Sequence, residues 1–389
     1  MEHISRRQAL QLAAVTGASA LALTACTVAG ASTTAQSTSP STMSAPGSQA
    51  RTRVVLLGTL GGPNYAGGNR MGVSTALVHD GRVYIVDLGL GALSQLSRAG
   101  LTQREPGKNP SVLGNVAGIF FTHLHSDHMA DWPAVYATAG TNIFNRSEPI
   151  RVFGPGERGT LPRISPPNSP SRTLASPEDP TPGIIGMTQK LGEAFAQDLN
   201  DRVQDNNTAL PGTFFDIHEI DLTGIWDVDA AGVPPLVAEP IKVWNDGVVT
   251  VTATLVDHHP TAPAFAYRFD TPDGSVVISG DTTVSANLIS LATDADVLVH
   301  EVIDEKWAES LAGNLPPEQG KPLLAHLLES HTTIAQVGRD VAQPARVKHL
   351  VLTHLIGGNS DDSWQGAADG FDGMLTVGRD LAVIPVGGR

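Results

Sequence analysis

Four side chains able to bind a metal ion fall within six positions of this chain. They are His123, His125, Asp127 and His128 in the run Thr122-His123-Leu124-His125-Ser126-Asp127-His128. On extended backbone, side chains alternate between faces, so His123, His125 and Asp127 point the same way. A helix starting just after them, with Met129, Trp132 and Val135 as its apolar stripe, swings His128 round to join Asp127. Imidazole and carboxylate donors at this density suit two adjacent divalent ions, two histidines for one and an Asp-His pair for the other. More donors stand where short apolar runs end: Asp257-His258, Ser279-Gly280-Asp281 and Thr353-His354. A lone histidine after a strand is more often a packing residue. Three such positions in order behind the dense cluster read instead as a ligand set held on rigid strand ends.

The elements that must position these residues are legible as apolar runs rich in β-branched and aromatic residues. They lie at about 52–58, 82–89, 116–123, 249–258, 275–281, 296–301 and 349–354. Helical spacing appears over 184–204, 323–342 and 366–378. In the first of these, Ile184, Met187, Leu191, Phe195, Leu199 and Val203 recur on one face. Strands mixed with helices predict a layered α/β domain over 51–389. Eight prolines between Pro155 and Pro182 predict a loop there. With the helix after it, the segment of about 155–245 reads as an insertion that would shape the mouth of a pocket. The two runs of strands are compatible with distant halves of one architecture.

Together these motifs resemble the metallo-β-lactamase superfamily, and within it the ribonuclease Z and arylsulfatase-like branch, over roughly Val54 to Pro385. The resemblance implies a four-layer αββα sandwich with an insertion between the second and third metal motifs, and a dinuclear site at one edge of its two sheets. It implies that His123, His125 and His258 hold one ion, that Asp127, His128 and His354 hold the other, and that Asp281 bridges them with a water or hydroxide. Zinc is the expected metal, with manganese and iron as alternatives. Asp87, in Tyr84-Ile85-Val86-Asp87-Leu88-Gly89, falls on a supporting position and not a ligand. His259, next to His258, stands as a substitute ligand or substrate contact. The His300-Glu301 pair and Ser330-His331 resemble the branch's acid pair, in which Glu301 orients His331 and His331 protonates the leaving group. Asp127 is expected to act as base as well as ligand. Strand alternation lets only one of His300 and Glu301 reach the site, and Glu301 is the choice. His79, His218, His326 and His349 read as structural or surface residues. The turn Gly58-Thr59-Leu60-Gly61-Gly62-Pro63 fits neither a dinucleotide nor a Walker spacing; it reads as a tight turn or as a cradle of backbone N–H groups for an anionic oxygen.

Composition narrows the function. The 389 residues carry 25 Lys+Arg against 39 Asp+Glu, a net charge of −14, with 5% aromatics. That balance weighs against a grip on nucleic-acid phosphates or bases. The single cysteine excludes a disulfide framework or a thiolate zinc site within the chain. The expected activity is hydrolysis of a small anionic ester, a sulfate or phosphate, outside the cytoplasm. The alternatives are a ribonuclease Z-like phosphodiesterase, a lactonase or β-lactamase-type hydrolase, and a lipid-anchored metal- or ligand-binding protein without activity. The oligomeric state is open, a dimer being compatible.

The first residues are read as an address. Arg6-Arg7 precede an apolar run from Ala9 to Ala25, too short to span a bilayer comfortably. Ser5-Arg6-Arg7 resembles a twin-arginine export signal, and Leu23-Thr24-Ala25-Cys26 resembles a lipobox. The expectation is a signal over 1–25, a lipid on Cys26, a Ser/Thr/Ala-rich tether to residue 50, and anchoring on the outer side of the cytoplasmic membrane.

Overall fold

Val54 and Leu56 on strand β1 (Thr52–Gly58) bury their side chains against a second sheet, while Val55 and Leu57 bury theirs on the opposite face. A strand apolar on both faces needs a layer on each side, and that dictates the architecture. The computed structural model describes residues 50–387 apart from 66–68, 145, 166–168, 171 and 359–360. The proposed signal, lipobox and tether up to residue 49 lie outside the described residues. Among those described, no helix is long and apolar enough to cross a membrane.

The remaining strands are β2 (Ser74–His79), β3 (Arg82–Val86), β4 (Val116–Phe120), β5 (Ile150–Gly154), β6 (Phe215–Glu219), β7 (Ile241–Asn245), β8 (Thr250–Leu255), β9 (Phe265–Thr271), β10 (Gly274–Ile278), β11 (Val297–Ile303), β12 (His349–Ile356), β13 (Met374–Val377) and β14 (Val383–Pro385). They form two sheets, ordered β14-β1-β2-β3-β4-β5-β6 and β13-β12-β11-β10-β9-β8-β7. Each sheet has three antiparallel pairings followed by three parallel ones, running outward from β3 in the first and from β10 in the second. The two runs of strands are thus halves built to the same pattern.

The helices are α1 (Ala92–Arg98), α2 (Ser126–Met129), α3 (Trp132–Ala137), α4 (Ala139–Asn142), α5 (Ile184–Ala194), α6 (Ala196–Asn206), α7 (Ala286–Leu291), α8 (Glu305–Gly313), α9 (Pro317–Ser330) and α10 (Ile334–Gln336). Three apolar layers follow. Leu96, Trp132, Val135 and Ile184 cover the outer face of the first sheet. Phe120, Tyr267, Phe269 and Val299 fill the space between the sheets. Leu288, Leu291, Val337 and Val341 cover the outer face of the second. This is the αββα sandwich.

Three local expectations change. The helix predicted over 184–204 is two helices that break at Phe195. The pattern over 323–342 breaks after Ser330, where His331 and Thr333 take extended backbone. The pattern over 366–378 becomes a 3-10 turn to Ala368 and then β13, which pairs in parallel with β12. Gly370 at positive φ and Gly373 interrupt any helix there, and the edge of the sheet captures Met374–Val377. The segment 155–245 is also more than an insertion, because it contributes β6 and β7, one edge strand of each sheet.

Candidate metal centre

Asp87, the run from His123 to His128 and Asp281 follow the ends of β3, β4 and β10, His258 follows β8, His331 follows α9, and Glu301 and His354 lie near the ends of β11 and β12. Asp87, just after β3, adopts φ 60°. Such a backbone is costly for a non-glycine residue and persists where surroundings fix it. Here its carboxylate accepts from the Thr122 N–H (2.8 Å), the Thr122 hydroxyl (2.8 Å) and His128 Nδ1 (2.8 Å). The second sheet holds the same peptide: Phe265 N–H donates to the Thr122 carbonyl (2.9 Å), and the Tyr267 hydroxyl to the Phe121 carbonyl (2.7 Å). The run from His123 therefore leaves β4 in a fixed direction. Helix α2 then starts at Ser126, which brings Asp127 and His128 onto one turn, as the spacing suggested.

Four overlapping groups of donor atoms result, the atoms of each within 4.8 Å of one another: His123, His125 and His258; Asp127, His128, Asp281 and His354; and two that include His331, one with His258 and Asp281 and one with Glu301 and His354; the first two are the donor groups expected for the ions. Asp281 touches both. Its Oδ1 lies 3.2 Å from His128 Nε2, and its Oδ2 lies 3.3 Å from His354 Nε2, 3.8 Å from His258 Nε2 and 3.9 Å from His123 Nε2. Supporting bonds choose the inward nitrogen of His128, His258 and His125. His258 Nδ1 donates to the Ser330 carbonyl (2.8 Å), leaving Nε2 inside. His125 is turned the other way: its Nε2 bonds the Thr261 hydroxyl (2.6 Å), and its Nδ1 lies inside, 3.2 Å from His258 Nε2. His354 depends on an irregularity, since β12 places Thr353 and His354 opposite the single Glu301 of β11, and His354 takes φ 44°. This bulge re-aims its imidazole at Asp127 Oδ2, 3.2 Å away.

The donor set fits a divalent cation. His123 Nε2, His128 Nε2 and Asp281 Oδ1 are buried without a hydrogen-bond partner, a costly arrangement unless another group satisfies them. Burial pushes His123, His125 and His258 below the usual histidine range, which keeps them neutral with lone pairs available. Burial would also lower His128, but the carboxylates of Asp281, Asp87 and Asp127 push it well up. Burial would raise Asp127, yet His128 and His354 hold it below the carboxylate range. Such convergence of negative charge on one buried point is what a bound cation neutralises.

Beside this cluster, Glu301 Oε1 accepts from His331 Nδ1 (3.1 Å) and from the backbone N–H groups of Thr282 and Thr332 (3.1 Å each). Burial would lower His331, and the Glu301 charge and hydrogen bond raise it. His300 faces away, bonding the Glu301 carbonyl (2.6 Å), so alternation separates the pair as expected. His259 turns out toward Asp257 (2.8 Å) and Glu329 (3.8 Å), away from the donor groups. The glycine turn does cradle an anionic oxygen, but one of the chain's own: Gly62 N–H donates to Asp127 Oδ2 (3.1 Å).

A cavity of about 730 Å³ opens over the site. His125, Asp127, His258, Asp281, His331 and His354 form its floor. Its walls come from the turn after β1, from Trp307 on α8, from His326 and Leu327 on α9, and from Ile356 to Gly358. None of its described lining residues comes from 155–245, the segment expected to shape the pocket mouth. His326, read as structural or surface, belongs to the wall. Sequence reasoning also missed Thr261; the signal for both was available, His326 one helical turn before Ser330-His331 and Thr261 inside the turn that follows His258.

The chain is similar to ribonuclease Z of Mycobacterium sp. (strain KMS), 28% identical over 86% of this chain and 95% of that protein. It is similar to ribonuclease Z of Mycobacterium bovis (strain BCG / Pasteur 1173P2), 26% identical over 86% and 98%. Among solved structures, the short form of human tRNase Z has a TM-score of 0.52 at 19% identity, covering 86% of this chain and 99% of that one. The metallo-beta-lactamase fold protein YhfI from Bacillus subtilis has a TM-score of 0.51 at 16% identity, over 85% and 98%; both share the fold. The profile of the metallo-beta-lactamase superfamily matches residues 67–318. With that match, the αββα sandwich and a His/Asp cluster suited to a divalent metal, the chain belongs to the metallo-β-lactamase superfamily and is a metal-dependent hydrolase.

Proposed function

We propose that the protein hydrolyses a small anionic ester, a phosphodiester before a sulfate ester, with two divalent ions. His123, His125 and His258 would hold one ion and Asp127, His128 and His354 the other, with Asp281 shared. The observation that carries the reading is Asp281, whose two oxygens reach both donor groups, with the Glu301–His331 pair beside it. When bound, the ions supply Lewis acidity and make hydroxide accessible near neutral pH. Asp127 accepts the proton of the attacking water and is itself fixed by the Gly62 N–H. Glu301 holds Nδ1–H of His331, which leaves Nε2 to deliver a proton to the departing oxygen. The ribonuclease Z relatives favour phosphodiesters over sulfates. The Arg6-Arg7 and Leu23–Cys26 motifs support export and a lipid anchor, so the substrate would be met outside the cytoplasmic membrane.

A second reading, a ribonuclease Z-like endonuclease acting on precursor transfer RNA, is favoured by those relatives and opposed by the net charge of −14. The test is hydrolysis of matched nitrophenyl phosphodiester, sulfate, carboxylic ester and lactam substrates, and of a precursor transfer RNA, with and without chelator. A chelator-sensitive rate on small phosphodiesters and none on the RNA supports the first reading. Efficient cleavage of the RNA with negligible small-ester turnover replaces it with the second. Inertness on all of them, in protein shown to carry metal, overturns both.

A further inference from the structure

The wall beyond His331 is apolar and aromatic. His331 follows the last residue of α9, and the same helix lines the cavity with His326 and Leu327. Trp307 of α8 is half-buried there and packs with Leu327 and Ile356 around the small core of Ile303 and Ala308. Two glycines bring two indoles up to the cavity. A Cβ on Gly357 would sit 2.5 Å from the Trp307 ring, and one on Gly358 would sit 2.3 Å from the Trp364 ring. Both glycines have positive φ, 83° and 76°, so backbone and contact alike exclude a side chain. The cations of these helices stay out of the lining: Lys306 on α8 is exposed, and Lys321 on α9 is not part of the wall. Arg70, the single lysine or arginine of the lining among the described residues, sits on the turn after β1, where it donates to the Thr59 hydroxyl and the Gly378 carbonyl.

We propose that Trp307, backed by Gly357 and flanked by Leu327, is a specificity-determining residue that receives an uncharged, planar leaving group of the ester. The inference rests on the hydrolase reading above and names the substrate class of that same site. Its logic is positional. In an in-line displacement the leaving oxygen departs opposite the attacking water, beside the group that protonates it. If that group is His331, whatever the oxygen carries lies against the α8–α9 wall. A polyanionic chain leaving that way would meet no lysine or arginine on α8 or α9, whereas an aryl ring would meet an indole and aliphatic carbons.

The test uses two esters with leaving groups of matched acidity, one aryl and one small fluoroalkyl, together with calorimetric binding of naphthyl phosphonate and methyl phosphonate. Trp307→Ala is expected to lower kcat/KM for the aryl ester about tenfold while the fluoroalkyl ester stays within about twofold. It should also erase the tighter binding of the naphthyl ligand, and Trp307→Phe should restore most of both. Equal losses on the two esters, or no loss on either, would overturn the proposal while leaving the hydrolase standing. A wild-type protein that cleaves no ester yet binds naphthyl phosphonate through Trp307 would overturn the hydrolase reading and keep the recess. Equal binding of the two phosphonates by wild type would overturn the recess whatever the hydrolytic result.

Discussion

The two halves of the sandwich reach the same centre by different means. The first half delivers His123, His125, Asp127 and His128 within six residues, on one strand end and one helical turn. The second half delivers His258, Asp281, Glu301, His331 and His354 from five separate segments, Glu301 and His354 on strands β11 and β12 and the other three just after an element ends. The first half takes its spacing from local geometry, with Asp87 holding Thr122 and His128 and Thr261 turning His125. The second depends on long-range fixtures: the Ser330 carbonyl on His258, two backbone N–H groups on Glu301, and a bulge under His354. A compact motif is therefore robust in placement, while a dispersed one is tuned by its supports.

The largest expected effect comes from Asp281, where the halves meet. Asp281→Ala should cost more than the ~100-fold that loss of a supporting residue brings, and elemental analysis should show both ions depleted. Loss of one ion with the other fully retained would break the comparison, because it would make the halves independent sites. Next is the acid pair. His331→Ala should lower kcat on the order of 10²–10⁴-fold for poor leaving groups and far less for activated ones, with metal content unchanged. A uniform loss across leaving groups would remove the proton-donor role.

Supports give smaller effects and sharpen the contrast. Asp87→Asn should weaken metal affinity by roughly 10–100-fold, since Asp87 holds both Thr122 and His128. Thr261→Val should fall toward the lower end, about tenfold, because it releases one ring, His125, that stays packed beside His123 and His258. If Thr261→Val proved costlier than Asp87→Asn in a metal titration, the second half would be controlling the first.

The same contrast explains what the sequence discloses. HxHxDH is readable because its chemistry and its geometry are both local. Alternation suffices to put Glu301 inward and His300 outward. Strands such as β1, β10 and β12 are readable as apolar runs buried on both faces. Edge strands β6, β7 and β13 are not, because their side chains are half-exposed and only pairing with a neighbour makes them strands. No local signal puts φ 44° at His354 or turns His125 to present Nδ1; both follow from partners far along the chain. The cavity wall is hidden for the same reason: α8 and α9 look like ordinary surface helices until the Gly357-Gly358 turn brings Trp307 beside the site.

The smallest predicted effect lies where the sheets meet away from the metal centre. There the turn between β9 and β10 places Asp273 against the start of β1, and Arg51 Nε donates to it over 2.9 Å. Hydrogen bonds from Arg51 and Thr52 hold the Asp273 carboxyl at about 2. A carboxyl depressed in the folded state stabilises it fully above its unfolded value, about 4, and that contribution fades as pH falls toward 2. Asp273→Asn should therefore be less stable at pH 7 by at most about 1 kcal/mol, since water screens a pair this close to the surface. The gap from wild type should close on acidification from about 4 to about 2, read as urea midpoints across that range. Hydrolysis should be unchanged, because β1 and β10 both run away from this contact toward the site. An altered rate in Asp273→Asn would mean that the spacing of the sheets at the far end sets how well the two donor groups meet.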